Sequence, residues 1–262
     1  METVQIVKIG GKVINNDDLL QKVLRDFSRL PHKKVLVHGG GTLATELGKR
    51  LGVEARLVDG RRITDRETLE ITQMAYAGLV NPRIVALLQS FGQQAVGLTG
   101  ADSDLLRSRK RPAGDIDFGF VGDVTQVNTG FLRLLLQQNL VPVFCALTHD
   151  GSGQILNTNA DTIATELAIA LSKHFATELI FTFEKSGVLS DVSDEQSLIA
   201  RLTFTDYQQL LSRGAVHQGM RPKLDNAFRA LRHGVRLVRI MNADQLENIN
   251  QKSAVGTVVT LE

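Results

Sequence analysis

Five short stretches of this chain hold the residues with chemical capacity. Two are glycine turns, Lys8-Ile9-Gly10-Gly11-Lys12 and His38-Gly39-Gly40-Gly41-Thr42. Each follows an apolar run and opens a helical pattern. Such a turn presents unpaired N–H groups and the positive end of a helix dipole, which together receive anions. A tight turn can also need glycine for its own sake. Lys8 lies in an otherwise apolar run, Val4–Ile9. Either it snorkels to water from a strand end, or it reaches into a crevice beside the first turn. Asn157-Thr158-Asn159-Ala160-Asp161 precedes an amphipathic helical run. Helix capping accounts for Asn159 or Asp161 and leaves Asn157 without a job. Arg61 and Arg62 follow the turn pair Asp59-Gly60. They form a solvated hairpin, or one of them makes a forked contact with a substrate carboxylate. Lys223 follows Pro222, a first-turn helix residue. A lysine is out of place at the positive end of a helix unless it faces an anion such as a polyphosphate.

Other chemistries fit less well. Gly39 to Ala44 satisfies GxGxxA, and Asp59 lies at the spacing of a ribose-binding acid. That pattern suits an NAD(P)-dependent oxidoreductase. Against it, Asp59 precedes Gly60 and reads as a hairpin corner, and the reading leaves Lys8, Asp161 and Lys223 idle. No GxxxxGK[ST] sequence occurs. The six histidines show no metal spacing, so no metal site is predicted, and His32, His149, His174, His217 and His233 are read as surface residues. No Ser–His–Asp set is supported. The basic run at Arg107, Arg109, Lys110 and Arg111 lacks interleaved aromatics and is followed by Asp115 and Asp117. It reads as a solvated hairpin rather than a nucleic-acid surface.

The elements that must position these residues alternate along the chain. Strands are predicted at Val4–Ile9, Lys34–Val37, Gln94–Leu98, Val141–Phe144, Leu179–Phe183 and Leu237–Met241, with a closing strand in Gly256–Leu261. Helices are predicted at Asp17–Leu30, Thr42–Leu51, Asp65–Ala77, Pro82–Phe91, Asn128–Gln138, Asp161–Leu171, Tyr207–Ser212 and Pro222–Arg232. Alternation of this kind indicates βαβ units and a mostly parallel sheet. Val53–Ile63 reads as one hairpin, and Leu105–Val127 as a second hairpin or flap. With 262 residues the chain can bury a large core. A net charge of +2 against 30 basic and 28 acidic residues does not suggest a general nucleic-acid or membrane binder. Cys145 has no partner for a disulfide within the chain, which suits a reducing compartment. No apolar run approaches the ~20 residues of a membrane span, and the first residues lack the pattern of a signal peptide. The expectation is a soluble cytoplasmic protein.

Taken together and in order, these motifs resemble the amino acid kinase family, most closely its acylglutamate branch. The likeness rests on Lys8–Lys12, on Val37–Gly41, on Asp59–Thr64, on Leu156–Asp161 and on Gly219–Ala227. The resemblance implies an α/β fold, an αβα sandwich with a mostly parallel central sheet. Residues 1–173 would be an N-terminal lobe for acylglutamate binding and dimerisation, and residues 174–262 a C-terminal lobe for ATP. It implies phosphorylation of the side-chain carboxylate of an N-acylglutamate, acetyl by default and succinyl as the alternative. Lys8 and Lys223 would stabilise the transition state, and Asp161 would position both. Gly40, Gly41, Arg62, Asn157 and Asn159 would bind substrate, and Gly10 and Gly11 phosphate. Glu184, Lys185, Ser186, Gly187, Val188 and Leu189 would contact the nucleotide. There the chain has Glu-Lys-Ser-Gly where the family often has Asp-Val-x-Gly, and Asn81-Pro82 replaces the more usual Asn-Lys.

The implied chemistry suits the inventory. A side-chain carboxylate, with a reference pKa of about 4.3, is ionised at neutral pH and needs no general base. The obstacle is the approach of one anion to another, which calls for positioning and positive charge. Mg²⁺ would bridge the phosphates of ATP without a dedicated carboxylate cage, and no tightly bound cofactor is expected. The resemblance also implies a homodimer. Arginine-inhibited members carry a helical arm before the first strand, and Met1–Thr3 is too short for one. An arginine-insensitive enzyme is therefore expected.

Overall fold

Val4, Ile6, Val7 and Ile9 are all fully buried, although they point to both faces of their strand. An apolar run without alternation is what a strand covered on both sides requires. In the computed structural model this strand, Thr3–Ile9, lies inside an eight-stranded sheet. The structure describes residues 1–58, 60–191, 193–214, 216, 220–249 and 255–262. The strands lie in the order Arg201–Leu202, Thr257–Val259, Leu237–Asn242, Ala176–Phe183, Thr3–Ile9, Lys33–His38, Val141–Phe144 and Ala95–Leu98. Adjacent strands are parallel except Thr257–Val259 against Leu237–Asn242. One apolar core lies on each face. Helices Thr129–Gln137, Ala160–Ser172 and Arg221–Arg232 contribute to the first, and Asp17–Ser28 and Asn81–Ser90 to the second. This is the expected αβα sandwich. No helix among the described residues is long and apolar enough to cross a membrane.

The first strand has Lys33–His38 on one side and Ala176–Phe183 on the other. The chain therefore switches direction across it, and an open sheet of this kind has its ligand crevice beyond the carboxyl ends of the strands at such a point. Both glycine turns leave the sheet there. Lys8 stands in register with Val37 and Phe181, at the lip of the crevice.

The predicted hairpins form. Leu57–Val58 pairs with Arg61–Arg62, and Leu106–Lys110 with Gly122–Val127. Asp59, the corner of the first, lies outside the described residues. Its neighbours form a two-stranded sheet apart from the main one. A dinucleotide fold would place a parallel strand of the main sheet there, so the GxGxxA rival loses its second half. The flap hairpin joins Leu147–His149 and Ile155–Asn157 in a separate four-stranded sheet. These two strands were not predicted, because three residues are too few to show a period of two.

Two helix boundaries differ from expectation for identifiable reasons. The helix that begins at Arg66 ends as α-helix at Gln73 and continues as a π-helical turn, Met74–Val80, directly into Asn81–Ser90. A change from i+4 to i+5 bonding leaves no mark in apolar spacing, and π-turns recur at functional sites. The helix expected from Tyr207 starts at Phe204, because Thr203 and Asp206 form a reciprocal capping box.

Candidate active site

The crevice is organised around one carboxylate. Asp161 lies in the first turn of helix Ala160–Ser172. Its Oδ1 stands 2.8 Å from Lys8 Nζ and its Oδ2 accepts a hydrogen bond from Lys223 Nζ at 2.9 Å. The Lys8 contact is an ion pair. Three elements distant in sequence meet here: the first strand, the helix at residue 160 and the helix at residue 221. The side chains of Lys8 and Lys223 are 13% and 8% exposed, so neither snorkels to open water. Lys223 Nζ also lies over the Phe181 ring, 5.0 Å from its centre. Burial opposes the ionised form of Asp161, but Lys223 and then Lys8 outweigh it and hold the carboxyl well below the usual carboxylate range. Burial lowers the Lys223 pKa, and Asp161 counteracts it. The capping question is also decided. Asn159 Oδ1 accepts from the amides of Asp161 and Thr162 at 2.7 and 3.3 Å. Asn159 is thus the cap, and Asp161 is left free to hold the lysines.

The two glycine turns lie against each other. A Cβ on Gly11 would stand 3.2 Å from Thr42 Oγ1. Gly40 has φ +159°, and a Cβ there would lie 2.7 Å from Cδ1 of Tyr76, a residue of the π-helical turn. Both conformation and space therefore demand glycine at this position. Gly39 has no such neighbour. Gly40→Ala should cost about 1–3 kcal/mol of stability, and Gly39→Ala under about 0.5 kcal/mol; chemical denaturation of both variants checks the contrast.

Arg62 enters from the hairpin. Its Nη2 donates to the Gly41 carbonyl at 2.8 Å and to Thr45 Oγ1 at 2.7 Å. Burial raises the pKa of the Tyr76 hydroxyl, and the adjacent Arg62 pulls it down. Asn157 Nδ2 donates to Thr64 Oγ1 at 3.0 Å, and Thr64 Oγ1 donates to the Arg62 carbonyl at 3.2 Å. Arg62 and Asn157 are therefore brought to the same wall, beside the second glycine turn. Arg61 is exposed.

Beyond the first turn lies a cavity of about 270 Å³ lined in part by Gly10, Gly11, Lys12, Phe183, Glu184 and Asn242. Lys12 forms an ion pair with Glu184, whose carbonyl accepts from Asn242 Nδ2 at 2.8 Å. The rest of the segment turns away from this cavity. Lys185 pairs with Glu195. A Cβ on Gly187 would lie 2.6 Å from Thr257 Oγ1, so packing explains that glycine. Val188 and Leu189 are buried. Among the described residues the buried Ser186 Oγ has no hydrogen-bond partner. Among the described residues no group of three or more His, Cys, Asp or Glu could hold a metal ion. Both oxygens of Asp161 are engaged by ammonium groups and are not free for a cation.

Residues 3–242 match the amino acid kinase family. The chain belongs to that family. It is 51% identical over 259 residues to the acetylglutamate kinase of Cytophaga hutchinsonii, covering 98% of both chains. It is 49% identical over 246 residues to the acetylglutamate kinase of Parabacteroides distasonis, covering 94% of this chain and 96% of that one. Among solved structures, smu.665 from Streptococcus mutans UA159 is similar at 25% identity, with a TM-score of 0.80 over 99% of each chain.

For this amino acid kinase the sequence already named the lysines, the aspartate, the arginine and the glycines that the fold brings together. Gly219, the glycine ahead of Lys223 in the late motif, lies outside the described residues, as does His217. His149 is not the free surface residue expected, because its Nε2 stands 2.9 Å from Asp104 Oδ1 and its side chain is 14% exposed. Tyr76, Thr45 and Thr64 were missed. Each touches the site through a turn or a hairpin, and none carries a sequence signal of its own.

Proposed function

We propose that this amino acid kinase transfers the γ-phosphoryl group of ATP to the side-chain carboxylate of N-acetyl-L-glutamate. The product would be N-acetyl-L-glutamyl 5-phosphate, an intermediate of arginine biosynthesis. The observation that carries the reading is Asp161 holding two lysines at the mouth of two abutting glycine turns. A carboxylate oxygen attacks the γ-phosphorus, a new O–P bond forms, and the bond to the bridging oxygen breaks as ADP leaves. Lys8 and Lys223 balance the charge shared along that line, and Gly10, Gly11, Gly40 and Gly41 offer amides to the phosphoryl oxygens. Arg62, Asn157 and Asn159 hold the acylamino acid. The 270 Å³ cavity, with Glu184 in its wall, is the open part of the nucleotide site, and Lys185–Leu189 support that wall from behind. Mg²⁺ enters as part of the nucleotide substrate. Residues 1–173 act as the acylglutamate lobe and residues 174–262 as the ATP lobe, on one continuous sheet. The single cysteine, buried Cys145, suits a cytoplasmic enzyme.

The test is turnover of ATP with N-acetyl- and N-succinylglutamate, measured as ADP release. A higher kcat/KM for the acetyl substrate supports the reading. ADP release with neither substrate overturns it, and a preference for succinyl moves the substrate assignment. Thermal unfolding with Mg-ATP and with NAD(H) separates the kinase from the oxidoreductase, since a specific ligand raises the midpoint.

Arg62→Lys keeps the charge but loses the planar fork. It should raise the KM for acylglutamate about tenfold, the scale of one charge-assisted hydrogen bond, with the KM for ATP nearly unchanged. Separate substrate titrations check this, and an equal effect on both would remove Arg62 from the substrate wall. A homodimer joined through Arg66–Gln73 and the π-turn is part of the same reading. Met74 and Leu79 there are 48% and 52% exposed, apolar surface that a two-fold partner would cover. Light scattering should give a mass near twice 28.7 kDa; a monomer at micromolar concentration would contradict it.

A further inference from the structure

His38 is fully buried at the carboxyl end of its strand, immediately before the second glycine turn. Its Nδ1 lies 2.7 Å from the Gly39 carbonyl oxygen, and its Nε2 lies 3.0 Å from Asn81 Nδ2. Asn81 Nδ2 also donates to the Val143 carbonyl at 2.9 Å. These contacts assign the tautomer. A carbonyl only accepts, so the atom of Asn81 facing Val143 is its NH₂ nitrogen. The same nitrogen faces His38 Nε2, which must therefore accept. The proton is then on Nδ1, which donates to Gly39. Burial pushes the ring's pKa down to about 4, against the bond to Gly39, which raises it. The ring is neutral around pH 7.

The rest of the neighbourhood is shaped around this arrangement. Asn81 is buried at the junction of the π-turn and the helix Asn81–Ser90. A Cβ on Gly97, in the edge strand, would lie 2.0 Å from Asn81 Oδ1, so that strand leaves a side chain out to admit the amide. The consequence reaches the site through one peptide. In a trans peptide the C=O of Gly39 and the N–H of Gly40 point in opposite directions. Tying the carbonyl inward to His38 turns the Gly40 amide outward. Among the described residues no hydrogen bond claims that amide.

We propose that His38 is a positioning residue for phosphoryl transfer. Its Nδ1–H locks the Gly39–Gly40 peptide so that the Gly40 amide faces the transferring phosphoryl group, and Asn81 locks the ring. The proposal rests on the kinase reading above. It is tested on the full chain by steady-state kinetics with ATP and N-acetylglutamate. His38→Asn can place an amide donor near the Nδ1 position, whereas His38→Gln places its donor near Nε2. The Gln variant should lose about 10²-fold in kcat, the scale for a displaced oxyanion donor, with both KM values changed less than about threefold. The Asn variant should stay within about fivefold of wild type, since the donor to Gly39 is restored. A Gln variant with wild-type kcat, or equal losses in both variants, would overturn the proposal. Asn81→Ser keeps the donor to Gly39 but frees the ring. It should lower kcat about tenfold, a fraction of the full donor loss, and it decides the matter alone should a His38 variant fail to fold. An unchanged kcat there would also overturn the proposal. A wild-type chain with no turnover would instead defeat the kinase reading itself.

Discussion

Lys8→Ala lowers kcat by roughly 10²–10³, the scale for removing one preorganised charged donor, while the KM for ATP stays within a few-fold. The expectation follows from where the charge is needed. In the ground state ATP brings its own counter-ion and the carboxylate is held elsewhere. In the transition state negative charge is shared among nucleophile, phosphoryl group and leaving oxygen, and only then does a fixed ammonium at the crevice mouth gain most. The geometry supports a fixed rather than a wandering group. Lys8 Nζ is 2.8 Å from Asp161, and the side chain is 13% exposed. A lysine that merely snorkelled from a strand end would be a mobile, solvated charge, and its loss would leave kcat unchanged. Single-turnover and steady-state measurements on the same variant distinguish the two. A raised KM with normal kcat would instead assign Lys8 to ground-state nucleotide binding.

Asp161→Asn should reduce kcat by a comparable factor and also cost stability. Capping does not enter, because Asn159 makes those hydrogen bonds. The amide keeps the shape of the carboxylate but none of its charge, so Lys8 and Lys223 face each other uncompensated. Removing one member of a buried ion pair costs on the order of 3 kcal/mol. The pH dependence has a definite sign. The folded-state carboxyl of Asp161 lies below its ordinary value of 3.8. Its stabilising contribution is therefore fully present above that value and is lost as the pH falls through the folded pKa. The difference between wild type and variant should be full at neutral pH, begin to narrow below about pH 4 as the unfolded-state carboxyl protonates, and vanish only as the pH falls through the lower folded-state pKa. Urea unfolding at pH 7 and pH 3 measures this. A constant difference between the two pH values would show that Asp161 is not ionised against the lysines. A variant with normal kcat would show that the triad is structural only.

Much of this was legible without coordinates. The strand–helix alternation carries the sheet, since apolar runs in a doubly covered sheet need no partner information to be recognised. Lys8 in an apolar run and Lys223 at a helix start are anomalous locally, and an anomaly of charge can be seen one residue at a time. The division of labour between Asn159 and Asp161 could not be seen. Both are good caps by type, and only the placement of two remote lysines separates them.

His38, Asn81 and Tyr76 belong to the same class. His38 reads as the end of an apolar strand, and Asn81 as an unusual neighbour of Pro82. Their contact joins residues 43 positions apart, and the π-turn that delivers Tyr76 to Gly40 leaves the apolar pattern unchanged. The layer architecture, the glycine turns at the strand ends and the out-of-place charges can be read residue by residue, because they follow from local periodicity, backbone freedom and residue chemistry. The tertiary structure alone decided which carboxylate holds which lysine and which ring orients which amide. Those choices depend on distances across the sheet, and burial sets their energies only after the chain has closed around them.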